Sequence, residues 1–256
     1  MTNKIIYEHP LYERNRTFMR LEYLFNKIDH FLIQDTNLDL FIVIQTLIEI
    51  INTLERNDIS TDVIKELDRY HIALNKLLDV QTVNKVTLEI TLQSLKTQLI
   101  DMQTNFGKHT KQLRNDELLN LIRQKMAISP NLCSFDIPGL YYWIHQNNET
   151  QQQQLHAWLE ELAIMKTSIK LIMQLIRESA TFITHTASCG FFQTAFKHNT
   201  HYQIIRIKLP NTANVFPEIS GNKHRITVRF LNFSEASGRP QQTTEDVNFA
   251  LSCCYL

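Results

Sequence analysis

Few residues in this 256-residue chain have the type and spacing to do chemistry. Ser220 and Lys223 fit an S-x-x-K spacing, in which a lysine helps to activate a serine nucleophile. That chemistry needs the serine at a helix start with the lysine one turn on. Here Gly221-Asn222 reads as a turn beside a strand, so the pair lacks the geometry. Asp136 and His145 lie near each other, but Asp136 with Pro138 reads better as the opening of a helix. Cys133, Cys189, Cys253 and Cys254 form no C-x-x-C pair and no ligand spacing for a metal, which leaves them as reduced, small hydrophobes. There is no P-loop, dinucleotide fingerprint, H-E-x-x-H or nucleophile elbow. No catalytic residue, cofactor or metal is expected.

What remains is charge. Ile219 to Leu231 reads ISGNKHRITVRFL, and as one extended strand its side chains alternate between two faces. Ile226, Val228 and Phe230 share one face; Lys223, Arg225 and Arg229 share the other around Thr227. Lys plus Arg is 26 and Asp plus Glu is 26, so the whole chain has no bulk field and is a poor general nucleic-acid binder. Between Lys197 and Arg229, however, six Lys and Arg residues stand against one acid, Glu218. Such a strand suits an acidic, flexible peptide, held by charge-assisted hydrogen bonds or added to a sheet edge. Cations that merely keep a sheet face soluble fit the residues equally well.

The elements that must carry this strand fall in two parts. Residues 11–180 hold two glycines, Gly107 and Gly139, and abundant Leu and Ile, and they read as an α-helical domain. Helical spacing marks 11–33, then Leu40 to Leu54, then a helix capped at Ser60 or Thr61 that carries His71 in its apolar stripe. Further helices are expected at 84–102, from Asn115, around Trp143, and as one long helix over 150–179. Asp58, Asp62, Glu66 and Asp68 read as solvated helix faces. After Ala180 periods of two predict strands at 181–187, 190–196, 202–209, 223–233 and 246–254, with loops at 210–217 and 234–240. Lys4 to Glu8 also reads as extended and can pair with this late sheet. The expectation is an α+β protein, with residues 1–10 and 181–256 forming a β-strand domain of antiparallel sheet. The N-terminus has no secretory h-region. Leu38 to Leu54, broken by Asp39, Gln45, Glu49 and Asn52, reads as too short and too polar to insert in a membrane.

Several blocks carry a family resemblance: Tyr7-Glu8-His9-Pro10-Leu11, Arg16-Thr17, Arg20-Leu21-Glu22 and Lys65-Glu66-Leu67-Asp68-Arg69. Further along come Cys133-Ser134-Phe135-Asp136 with Trp143, Leu175-Ile176-Arg177, Ile219 through Arg225, Arg229-Phe230, and Phe249-Ala250-Leu251 with Cys253-Cys254. In this order and along the whole chain they make the sequence similar to the ZapD family of FtsZ-associated cell-division proteins. The resemblance implies a cytoplasmic homodimer at the mid-cell division site, without catalysis. It implies binding to the C-terminal tail of FtsZ and cross-linking of FtsZ filaments, so promoting Z-ring assembly and septation. It places partner binding on basic residues, with Arg225 first, then Arg20, Lys223 and Arg229, and with Arg114, Arg56, His145 and Tyr141 from the helical part. Tyr141 stands where relatives can carry a histidine, and Glu117 where they can carry a base; Arg114 and His145 lie near enough in sequence to rebuild that surface. The competing function is a nucleic-acid-binding regulator using the same basic strand, which lacks stacking aromatics between its cations.

Overall fold

The computed structural model describes residues 4–33, 36–56, 58–81, 83–128, 135–198, 200–222, 224–233 and 238–255, without the side chains of residues 56, 108, 109 and 148. Lys223 and Cys133 therefore lie outside the described residues, as does the side chain of Arg56. The fold is α+β, and the chain divides into two units: Met1–Thr17 with Met173–Leu256, and Phe18–Ile172.

The second unit is helical. Its elements are α1 (Glu13–Leu32), α2 (Asn37–Arg56), α3 (Ile59–Asn75), α4 (Lys85–Thr104), α5 (Phe106–Asn115), α6 (Glu117–Ile128), α7 (Pro138–Ile144), α8 (Asn148–Glu160) and α9 (Ala163–Glu178); the division between units falls inside α1 and α9. Phe18, Leu21, Phe25 and Ile28 of α1 are buried at helical spacing, as are Ile44, Leu47, Ile48 and Ile51 of α2. The 20 residues of α2 and a mean hydropathy of 1.4 over its apolar window would suffice for a membrane span by length and composition, contrary to the expectation that this segment is too short and too polar. Its place in the core is set by packing: Val43, Ile44, Leu47 and Ile48 are wholly enclosed by protein.

Four helical expectations are corrected. The segment read as helix 150–179 is two helices, because the chain turns at Glu161-Leu162 and buries Leu162; no glycine or proline announces the break. The short α5 was not expected, since its apolar residues are only Phe106 and Leu113 in a polar stretch. The cap of α6 is Asp116 rather than Asn115: its Oδ1 accepts the Leu119 N–H at 2.9 Å. Glu66 is not solvated. It is buried, and its Oε2 meets the Arg69 guanidinium at 2.5 Å.

The first unit is a sandwich of two antiparallel sheets. One has the order β1 (Lys4–Pro10), β4 (Tyr202–Pro210), β8 (Val247–Tyr255), β2 (Ile183–Ala187). The other has the order β3 (Phe191–Ala195), β6 (Arg225–Phe233), β5 (Phe216–Gly221), with β7 (Pro240–Gln242) also on β6. The N-terminal strand runs beside β4 from Lys4↔Pro210 to Pro10↔Ile204. Ile205, Ile207, Phe249 and Leu251 of the first sheet meet Ile226, Val228 and Phe230 of the second in one apolar layer. On the opposite face of the first sheet lies a polar row. Glu8 accepts from Arg177 (2.9 and 2.8 Å) and from Arg206 (2.9 Å). Arg206 also donates to the Arg177 carbonyl, and Ser252 Oγ to the Ala180 carbonyl, which satisfies exposed carbonyls at the end of α9.

Residue 219 to 231 is not one strand. The loop expected at 210–217 ends early: Phe216 and Pro217 already belong to β5, which pairs with β6 as far as Gly221, and Pro217 is tolerated because β5 is an edge. The cysteines at 253 and 254 point to opposite faces of β8; burial pushes the Cys253 thiol up to about 11, with Cys254 adding to it, and raises Cys254 as well. Neither is a ready thiolate.

Burial alone would raise the Glu8 carboxyl, but Arg177 and Arg206 outweigh it and hold the group below its ordinary 4.5. The folded state thus favours the carboxylate, so its contribution is present above pH 4.5 and is lost as pH falls below it. Glu8→Gln is expected to lower unfolding free energy by roughly 2 kcal/mol at pH 7, less than a fully dry pair because the site is still partly wet. The same variant should flatten the loss of stability between pH 5 and 3, roughly the span over which a carboxylate titrates. Urea denaturation at several pH values checks both, and parallel pH profiles would refute the assignment.

Candidate partner-binding surface

Arg225 is set by a turn. Gly221 ends β5 where a Cβ would come within 2.7 Å of Leu11 Cδ2, so a larger residue there would have to push the Leu11 side chain aside. Asn222 then closes the turn. Its Oδ1 accepts the N–H of His224 (2.8 Å) and of Arg225 (3.1 Å), and its own N–H donates to the Arg225 carbonyl (3.0 Å). Arg225 is thereby the first residue of β6, with its side chain on the face opposite Ile226, Val228 and Phe230. It is exposed and has no hydrogen bond or ion pair from its guanidinium among the described residues.

Arg229 is different. It stands opposite Glu218 in the β5–β6 register, and its guanidinium binds that carboxylate. The expectation of a one-sign strand face is therefore corrected: the lone acid of the region lies directly across from one of its cations, and only a second strand could put it there. Both partners are about half exposed, so the pair adds little to stability, but Arg229 is not an idle charge. The same face gains a neighbour that the strand's own sequence did not reveal. Phe191 of β3, exposed, is the register partner of Arg229.

In the helical unit, Arg20 is exposed on α1 and pairs with no acid among the described residues. Arg114 lies 3.6 Å from Glu55, which also holds Arg123 at 2.7 Å. Two cations on one carboxylate leave that cluster net positive. Tyr141 and His145 come together on α7 and just after it. Their rings lie 4.3 Å apart, and His145 Nδ1 is 2.8 Å from the Tyr141 carbonyl. So His145 stands directly beside Tyr141.

The glutamine run opening α8 is what holds this pair in place. Gln151 is buried and donates from Nε2 to the carbonyls of Trp143 (2.8 Å) and Ile144 (2.6 Å), which end α7. Gln154 Oε1 accepts the Trp143 indole N–H at 2.8 Å. Trp158, 5.5 Å from Trp143 between ring centres, donates to Asp116 at 2.8 Å. Nothing in the bare sequence QQQQ marks these roles, although a Trp donor with no apolar alternative demands some acceptor. Among the described residues no group of His, Cys, Asp and Glu could hold a metal ion.

A family model described as ZapD, a cell division protein, matches residues 19–229. A cell division protein ZapD from Methylococcus capsulatus is 38% identical over 256 residues, covering 100% of both chains. One from Pectobacterium atrosepticum is 33% identical over 259 residues, covering 99% of this chain and 98% of its own. One from Nitrosomonas eutropha is 32% identical over 256 residues, covering 98% and 100%.

Gln151→Ala removes the donor to two buried carbonyls. It is expected to cost about 1–3 kcal/mol in urea unfolding. Gln152→Ala, one residue along on the exposed face, should cost under about 0.5 kcal/mol. Equal effects of the two would remove the clamp from the account.

Proposed function

The chain belongs to the ZapD family of cell division proteins, and from that premise we propose that it is a non-catalytic adaptor that binds the C-terminal tail of FtsZ. The observation that carries the reading is Arg225, an exposed guanidinium without an internal partner, fixed at the head of a strand by the Asn222 turn. A flexible acidic tail offers carboxylates. A planar guanidinium can take one in a bidentate pair, and the turn fixes its backbone before binding, so only the side chain has to be ordered. In the helical unit, taken by itself, Arg20 is a further exposed cation, and the Arg114–Glu55–Arg123 cluster and the Tyr141–His145 pair are further candidate contacts. Lys223 and Arg56 complete the basic set in sequence. Arg229 plays a lesser part because Glu218 already competes for it.

As a homodimer the protein presents each tail site twice. A filament displays many tails, so two weak contacts at fixed spacing become a firm bridge through effective concentration. Cross-linked filaments would then favour Z-ring assembly and septation at mid-cell, in the cytoplasm. The functional division we adopt is a helical domain over 11–180 and a β-domain over 1–10 and 181–256.

Co-sedimentation with GTP-polymerised FtsZ from the same organism tests this, using full-length FtsZ and FtsZ lacking its last dozen or so residues. The protein is expected to pellet with the first and stay in solution with the second. Arg225→Glu should abolish pelleting and bundling while leaving the melting temperature within about 1 °C, since exposed unpaired charges contribute little to folding. Pelleting with tail-less filaments would exclude the tail as ligand, and an unfolded Arg225→Glu would show the residue to be structural.

A further inference from the structure

The two ends of the β-sandwich differ in chemistry. At one end a cleft is lined by amides, threonines and the acids Glu245 and Asp246. At the other, a cleft of about 450 Å³ opens where β3 ends and β4 begins. Its apolar part is aromatic: Phe196 and Tyr202 are stacked at 4.3 Å, and Tyr12 lines it too, with the Arg14 guanidinium 5.9 Å from the Tyr12 ring centre. The rest of its lining includes Lys197, His198, His201 and His224, with no carboxylate among the described residues. The main-chain bond from Phe196 N–H to the His224 carbonyl, 2.8 Å, ties the two sides together.

The cleft adjoins Arg225. Ala195, part of its lining, is the register partner of Arg225, and His224 immediately precedes it. Opposed residues of an antiparallel pair put their side chains on the same face. We infer that this end cleft is a second subsite of the docking surface, which takes a large apolar side chain of an acidic peptide while Arg225 takes a neighbouring carboxylate. Aromatic walls suit an apolar anchor, and Lys197 at the rim, with imidazole N–H donors beside it, favours acidic peptides over basic ones. The acid-lined cleft at the far end of the sandwich has the opposite preference. The inference rests on the adaptor reading for its partner but not for its chemistry. It turns a purely ionic contact into one with an anchor, which is where most docking energy is concentrated.

Two fluorescent peptides separate the inference from the reading it deepens: the FtsZ tail, and a Glu-rich peptide of equal length carrying one central Phe. Binding is measured by anisotropy to the wild type, to Thr200→Trp, which fills the cleft from its lining, and to a His198→Ala/His201→Ala double variant, which strips its rim. Filling is expected to weaken both peptides at least about tenfold with unchanged melting temperature, the loss of one anchoring side chain. Phe→Ala in the Glu-rich peptide should weaken wild-type binding to match, and the double variant should lose several-fold with both. If the tail binds the wild type and both variants alike, the cleft is not a subsite and the adaptor reading stands. If the Glu-rich peptide alone binds and Thr200→Trp abolishes it, the cleft stands and the tail is not its partner. Binding of neither peptide overturns both.

Discussion

The β-unit depends on one carboxylate. Glu8 lies on the face of its sheet away from the sandwich core, between Arg177 at the end of α9 and Arg206 of β4. The sequence separations are 169 and 198 residues, so nothing local brings these groups together. With both arginines in place, Glu8 is a partly buried anion between two cations, and removing it would take away the carboxylate they share. The N-terminal strand is therefore held to β4 by more than its ladder. Tyr7, one residue earlier, then faces the opposite way and packs on the apolar layer.

That layer in turn decides what β6 can offer outside. Ile226, Val228 and Phe230 are buried between the sheets, which forces Arg225, Thr227 and Arg229 outward. A one-residue slip would exchange the two sets, so the register fixed by the core is also the register of the binding surface. The Asn222 turn sets where the strand begins, and Glu218 on the neighbouring edge decides which of the outward cations is spoken for. The surface is thus selected by its neighbours: two arginines with the same sequence environment acquire different tasks because only one has an acid across the ladder.

Beside its buried Glu66–Arg69 pair, the helical unit relies on side-chain amides. Gln151 and Gln154 bind the end of α7 and its tryptophan, and Asp116 both caps α6 and accepts from Trp158. Each satisfies a donor or carbonyl that would be costly to bury alone. The Tyr141–His145 pair rides on this frame, its two rings 4.3 Å apart at the end of α7.

The sequence by itself determined much. Apolar residues at spacings of three and four placed α1, α2 and α3, and the rise of β-branched residues after Ala180 located the sheet region. The alternation in Arg225 to Phe230 separated core from surface correctly, because one face of that strand had to meet another sheet. The signature blocks pointed to the family. What the tertiary structure alone decided is pairing across distance: that Glu218 faces Arg229, that Glu66 is buried on Arg69, that a glutamine run clamps a helix end, and that Tyr12, Phe196 and Tyr202 close around one cleft. Periodicity reports which side of an element is apolar. It carries no information on which residue of another element will stand opposite, and the charge, hydrogen bonding and cavities of a docking surface depend on that second partner.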